Sequence, residues 1–156
     1  LDFSLIKPRL HRWKFNLKTG ATTEEDICDE TIEFGVINQQ IAGIEHRYTY
    51  SMIPTKGHFT FDGITKHDHQ TKSLSKYLFP EHIFISEVSF APKISAIDED
   101  DGYLVTISND LIENSSSCLL FDAKNIEQGP ICNIPLPHQI CSGTHATWAQ
   151  KIDLKP

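Results

Sequence analysis

Three stretches of this chain carry an alternating run to an Asn or Asp and then turn. They are Trp13-Lys14-Phe15-Asn16-Leu17-Lys18-Thr19-Gly20, Ile64 to Lys72 around Asp68, and more loosely Leu119-Leu120-Phe121-Asp122-Ala123-Lys124. The marker residues Asn16, Asp68 and Asp122 stand 52 and 54 residues apart. A period near 50 residues, filled by several short strands, is the length of one blade of a β-propeller. The chain is therefore expected to fold as repeated small sheets rather than around one continuous core.

The segments between the markers agree with an all-β reading. Leu10 to Leu17 alternates and turns at Lys18-Thr19-Gly20 into a polar segment that runs to Ile32, the pattern of a hairpin. Arg47 to Ile53, His58 to Asp62, Tyr103 to Ser108 and Cys118 to Asp122 read as further strands, and helix signals are scarce. The acidic run Asp98-Glu99-Asp100-Asp101 reads as a solvated loop. A formal net charge of −7 argues against a nucleic-acid backbone as partner. Apolar runs such as Ile83-Phe84-Ile85 are far too short for a bilayer core, which needs about 20 residues. The chain begins at Leu1 without a visible secretory signal and reads as a piece of something longer. Cys28, Cys118, Cys132 and Cys141 show no CxxC pair, and are read as free thiols of a reducing, cytoplasmic compartment.

The phase of the repeat singles out three titratable residues. Glu33, Glu87 and His145 lie 17, 19 and 23 residues after their respective markers. In a propeller the outer hairpin of one blade is followed by a crossing to the innermost strand of the next, so all three are expected near the starts of inner strands, close to the axis. A Glu within Ile32-Glu33-Phe34 could equally face solvent from a half-buried strand. If the two carboxylates are inside, they must be hydrogen-bonded or paired, and an imidazole N–H is the partner this arrangement suggests. His145 also follows a small Gly-containing turn and precedes Trp148, which is read as an aromatic wall beside a metal ligand. His11, His46, His58, His67, His69, His82 and His138 are read as exposed or structural.

The ordered set of motifs resembles the carotenoid cleavage oxygenases, including the lignostilbene dioxygenases. It comprises Leu10-His11-Arg12-Trp13; Ile32-Glu33-Phe34-Gly35-Val36-Ile37-Asn38 with His46-Arg47-Tyr48; Asp62-Gly63-Ile64-Thr65-Lys66-His67-Asp68; and Ser86-Glu87-Val88-Ser89-Phe90-Ala91-Pro92-Lys93. It continues through Glu99-Asp100-Asp101-Gly102-Tyr103-Leu104, Leu120-Phe121-Asp122-Ala123 with Gly129-Pro130, and Leu136-Pro137 leading to Ser142-Gly143-Thr144-His145-Ala146-Thr147-Trp148. The match covers the whole chain but only the last third of a typical member.

The resemblance implies the C-terminal blades, roughly three, of a seven-bladed β-propeller, with upstream blades absent from residues 1–156. It implies Fe(II) held on the axis by four histidines, the last of which falls on His145. Of three glutamates that hold ligand imidazoles in the family, the second and third fall on Glu33 and Glu87. Such a carboxylate fixes the tautomer and orientation of a ligand and raises its basicity. The implied reaction is cleavage of a hydrophobic alkene by O₂ to two carbonyl compounds, by the full-length parent rather than by this piece. The form His145-Ala146-Thr147-Trp148 resembles lignostilbene-type and other microbial members and tilts the substrate toward stilbenoids or phenylpropenes. No transmembrane segment is expected, and peripheral membrane contact through missing regions stays open. The alternatives are a non-catalytic propeller module that binds partners through its loops and an inactive truncated product.

Overall fold

The structure is a computed structural model that describes residues 5–141 and 143–151. It is built from short antiparallel strands, with two single 3-10 turns at Gln39–Ile41 and Ile126–Gln128 among the described residues. β1 (His11–Phe15) and β2 (Thr22–Asp26) form a separate hairpin. β3 (Glu33–Val36), β4 (Tyr48–Pro54), β5 (Phe61–Asp68) and β6 (Ser73–Leu78) follow as a four-stranded meander. After β7 (Ile83–Ile85), a second meander runs through β8 (Ser89–Pro92), β9 (Gly102–Asp110), β10 (Ser115–Asp122) and β11 (Pro130–Pro135). These are two whole blades preceded by an outer hairpin, and the architecture is all-β and propeller-like.

The three markers occupy equivalent places, at or just beyond the ends of β1, β5 and β10, and they recur for a physical reason. Asn16 Oδ1 accepts the N–H groups of Lys18 and Thr19 at 3.0 and 3.1 Å. Asp68 Oδ1 does the same for Gln70 and Thr71, and Asp122 Oδ1 accepts from Lys124. A short side-chain acceptor in this place imitates a backbone turn and frees the chain to reverse. The strand expected over His58 to Asp62 starts later, at Phe61, because His58 and Phe59 belong to the turn between β4 and β5.

The core lies between the blades. Tyr50, Met52, Phe61 and Ile64 from the first meet Phe90, Leu104, Leu119 and Phe121 from the second, with Ile85 and Val88 between them. Burying a side chain such as Phe121 contributes about 2–3 kcal/mol. Both faces of β5 are largely buried, whereas β9 alternates and β11 is exposed throughout. β7 hydrogen-bonds to both blades, through Phe61↔Ile85 on one side and through Ile83 to Ile85 against Ser108 to Asp110 on the other.

The acidic run is not a solvated loop. Asp100 is buried and pairs with the equally buried Lys66 ammonium at 2.6 Å, which also sits 4.2 Å from the Tyr48 ring centroid. The Glu99 carboxylate accepts the N–H groups of Arg47 and Tyr48, and Lys124 reaches Asp98 and Asp101, each at 2.7 Å. The Lys124 ammonium and two backbone amides hold the Asp101 carboxyl well below its usual range. Four acids in sequence are tolerated because Lys66, Lys124 and the Arg47 and Tyr48 amides share them out, and the loop fastens the second blade to the first at the end opposite Glu33 and Glu87.

The hairpin docks through Arg12, whose guanidinium donates to His69 Nδ1 at 3.0 Å. His69 Nε2–H must then donate to Thr49 Oγ1, 2.8 Å away. Burial, with His67, His46 and Arg12 nearby, lowers the His69 pKa to about 4, while Asp68 opposes the shift. With the folded value below the unfolded one, this contribution is present in full above the ordinary imidazole range. It is lost as pH falls from about 6.5 toward 4. His69→Gln retains an acceptor and a donor but cannot titrate, so its denaturant midpoint should fall less than that of the native protein over the same interval. Equal losses would show that His69 is not the group responsible.

Candidate functional site

β7 carries the chain between the two blades and releases it at Ser86. The Ser86 N–H donates to the Ile107 carbonyl and the Thr106 hydroxyl donates to the Ser86 carbonyl, both at 2.8 Å. Fixed in this way to β9, two consecutive side chains reach the segment that carries His145. Ser86 Oγ accepts the Gly143 N–H at 3.1 Å. Glu87 Oε2 accepts the Ala146 N–H at 2.7 Å and lies 3.2 Å from His145 Nδ1.

Glu87 is 8% exposed, whereas the His145 side chain is 72% exposed. An ionised carboxylate only accepts, so the contact with His145 assigns the proton to Nδ1 and leaves the Nε2 lone pair uncommitted. Holding one ring nitrogen against an oriented carboxylate leaves the other ready to bind a cation.

The aromatic neighbour of His145 is Phe34, not Trp148. The Phe34 ring meets the imidazole edge-on, 5.0 Å between centroids, and meets Phe61 at 5.5 Å. Phe34 has φ of +50° where the β3–β4 register shifts between Glu33 and Val36. A left-handed non-glycine residue costs about 1–2 kcal/mol, and a bulge of this kind re-aims a side chain beside a site. Trp148 instead lies over the outer face of the second blade, in a cleft shared with Pro92, Tyr103 and Leu120.

Glu33 opens β3 and sits opposite Met52. Among the described residues its side chain makes no hydrogen bond or ion pair, with His145 or with any other residue. It lines an apolar cleft of about 350 Å³ together with Pro54, Phe59 and Phe61. The structure thus brings Glu87 and His145 together and leaves Glu33 one residue from the ring that flanks them. His145 lies outside any strand, because no neighbouring strand in residues 5–141 or 143–151 pairs with it. Ser142 lies outside the described residues. Ser86 and Phe34 are the participants that sequence reasoning missed. Ser86 is adjacent to Glu87, but its partner is 57 residues away, and a positive φ at a phenylalanine leaves no mark in the sequence.

Among the described residues no three His, Cys, Asp or Glu side chains converge on a point that could hold a metal ion. His145, with Nδ1 held by Glu87 and Nε2 uncommitted, fits one ligand of a multi-histidine centre. All four cysteines are free, and no helix among the described residues is long and apolar enough to cross a membrane.

Residues 3–150 match the family model described as retinal pigment epithelial membrane protein, RPE65. A carotenoid cleavage oxygenase of Mycobacterium tuberculosis is 33% identical over 92% of this chain and 29% of its own length. Lignostilbene-alpha,beta-dioxygenase isozyme III of Sphingomonas paucimobilis is 29% identical over 92% of the chain and 32% of its own. The crystal structure of cobalt-substituted apocarotenoid oxygenase from Synechocystis superposes with a TM-score of 0.88 at 25% identity, covering 97% of this chain and 32% of that one. The chain therefore spans about a third of the length of the relatives it matches. The family match, running over nearly every residue, places the chain in the RPE65 and carotenoid oxygenase family.

Proposed function

We propose that residues 1–156 are the C-terminal part of a single β-propeller domain in a non-haem Fe(II) oxygenase. The whole protein cleaves a carbon–carbon double bond of a carotenoid, apocarotenoid or stilbenoid or phenylpropene substrate with O₂, giving two carbonyl products. The observation that carries this reading is the Glu87 carboxylate shared between the Ala146 amide and His145 Nδ1. It fixes the tautomer in which Nε2 is free to bind a metal.

In this assignment His145 is one iron ligand, Glu87 holds it, and Glu33 holds the imidazole of another ligand supplied from outside this chain. Neutral imidazoles suit Fe(II) and leave coordination positions open. Bound iron supplies the electron chemistry that O₂ needs in order to react with an alkene. This chain's own residues orient and exclude water. Glu87 and Ser86 fix the His145 segment, and Phe34 closes one side of the imidazole. The apolar cleft beside Glu33, walled by Phe59, Phe61 and Pro54, offers a hydrophobic substrate a dry surface. The four free thiols favour a reducing compartment, the cytoplasm, with peripheral membrane contact left to other regions of the protein.

The test is metal analysis of the purified whole protein together with product analysis on carotenoid, apocarotenoid and stilbenoid substrates. Stoichiometric iron and paired carbonyl products are expected. A folded protein without bound iron would instead favour a propeller that binds partners without catalysis.

A further inference from the structure

Met52, the single methionine of the chain, is fully buried in β4 and stands directly opposite Glu33 in the β3–β4 ladder. Facing residues of an antiparallel pair project to the same side of the sheet, so Met52 and Glu33 are neighbours there. Its thioether sulfur also accepts the backbone N–H of Val88 at 3.4 Å. Val88 follows Glu87 in a segment outside the strands, and its N–H has no other acceptor among the described residues. One side chain of the first blade therefore stands across the ladder from Glu33 and accepts the amide of the residue after Glu87. Sulfur is a weak acceptor, but an N–H buried in the core without any acceptor is costly, so removing the sulfur should move the segment.

We propose that Met52 is a positioning residue. By holding the Val88 amide it fixes the spacing between the Glu33 and Glu87 carboxylates across the two blades, and through Glu87 it sets the direction of the His145 imidazole. This rests on the metal-ligand reading of His145 given above. A leucine at this position has nearly the volume of methionine and no lone pair, so it removes the acceptor while retaining the packing. A glutamine restores an acceptor at similar reach and packs worse, because it buries a polar amide. A positioning role and a packing role therefore rank the two variants in opposite orders.

The experiment is a Co(II) titration of the metal-free whole protein, followed by visible absorption, with thermal unfolding measured in parallel. Met52→Leu is expected to weaken Co(II) binding about tenfold, the lower end of what loss of an outer-shell partner does to metal affinity. Met52→Gln is expected to bind more tightly than Met52→Leu despite a lower Tm. Ile64→Val, a core change directly across from Met52 on β5, should lower Tm without altering Co(II) affinity. Native affinity in Met52→Leu, or tighter binding by the leucine variant than by the glutamine variant, overturns the proposal. So does weakening in Ile64→Val equal to that in Met52→Leu. His145→Ala separates the two levels of inference. If it binds Co(II) as the native protein does, the ligand assignment itself fails. If it loses binding while Met52→Leu is unaffected, only the role of Met52 is lost.

Discussion

Replacing His145 by alanine in the whole protein is expected to abolish both iron retention and alkene cleavage while leaving the fold unchanged. The two halves of this result have separate causes. Among the described residues His145 lies outside the strands and outside the hydrophobic cluster between the blades, so its removal opens no cavity in that core. In the proposed assignment its loss removes a direct ligand, and even an outer-shell partner changes metal affinity by about 10–100-fold. The loss here should exceed that range. Metal content after gel filtration, read beside far-ultraviolet circular dichroism and Tm, checks both halves together. Native iron content and activity in the variant would remove His145 from the metal site, and a collapsed Tm would show that the imidazole serves the fold.

The second large effect is expected far from the site. Asp100→Ala leaves the Lys66 ammonium, whose side chain is only 10% exposed, with the Lys124 carbonyl and the Tyr48 ring as its remaining partners. Stranding a buried charge in this way costs about 3–5 kcal/mol, whereas replacing both members by apolar residues of similar size is often close to neutral. Denaturant unfolding should therefore find Asp100→Ala strongly destabilised and the double variant Lys66→Met/Asp100→Leu close to native. If the double variant is as unstable as the single one, the pair is fastening the two blades through geometry that apolar packing cannot replace.

What could be read from the sequence follows from which interactions are local. The repeat was visible because Asn16, Asp68 and Asp122 accept from amides only two or three residues ahead, so the turn chemistry is written within a few positions. Its phase brought out Glu33, which opens β3, and Glu87, which lies just before β8, whereas His145 lies in no strand among the described residues. The acidic run misled for the opposite reason. The partners of Glu99 and Asp100 are 51 and 34 residues away, and four consecutive acids look solvated until Lys66 and the Tyr48 amide are brought beside them. Trp148 misled because proximity in sequence to His145 was read as proximity in space. Outside regular secondary structure, a residue three positions on can serve another surface altogether. The ring that does flank His145 comes from a bulge 111 positions earlier, and only the fold brings it there.

The short strand β7 belongs to two ladders at once. Sliding one sheet past the other would break registry on both of its edges, while a small rotation about it would leave most of those bonds intact. The two blades are thus joined like leaves on a pin, barred from shear by β7 and limited in tilt by the Lys66–Asp100 pair. Points next to a pin travel least when the leaves tilt, and Ser86 to Val88 emerge directly from its end. Thermal breathing of the outer strands should therefore reach the Glu87 carboxylate strongly attenuated.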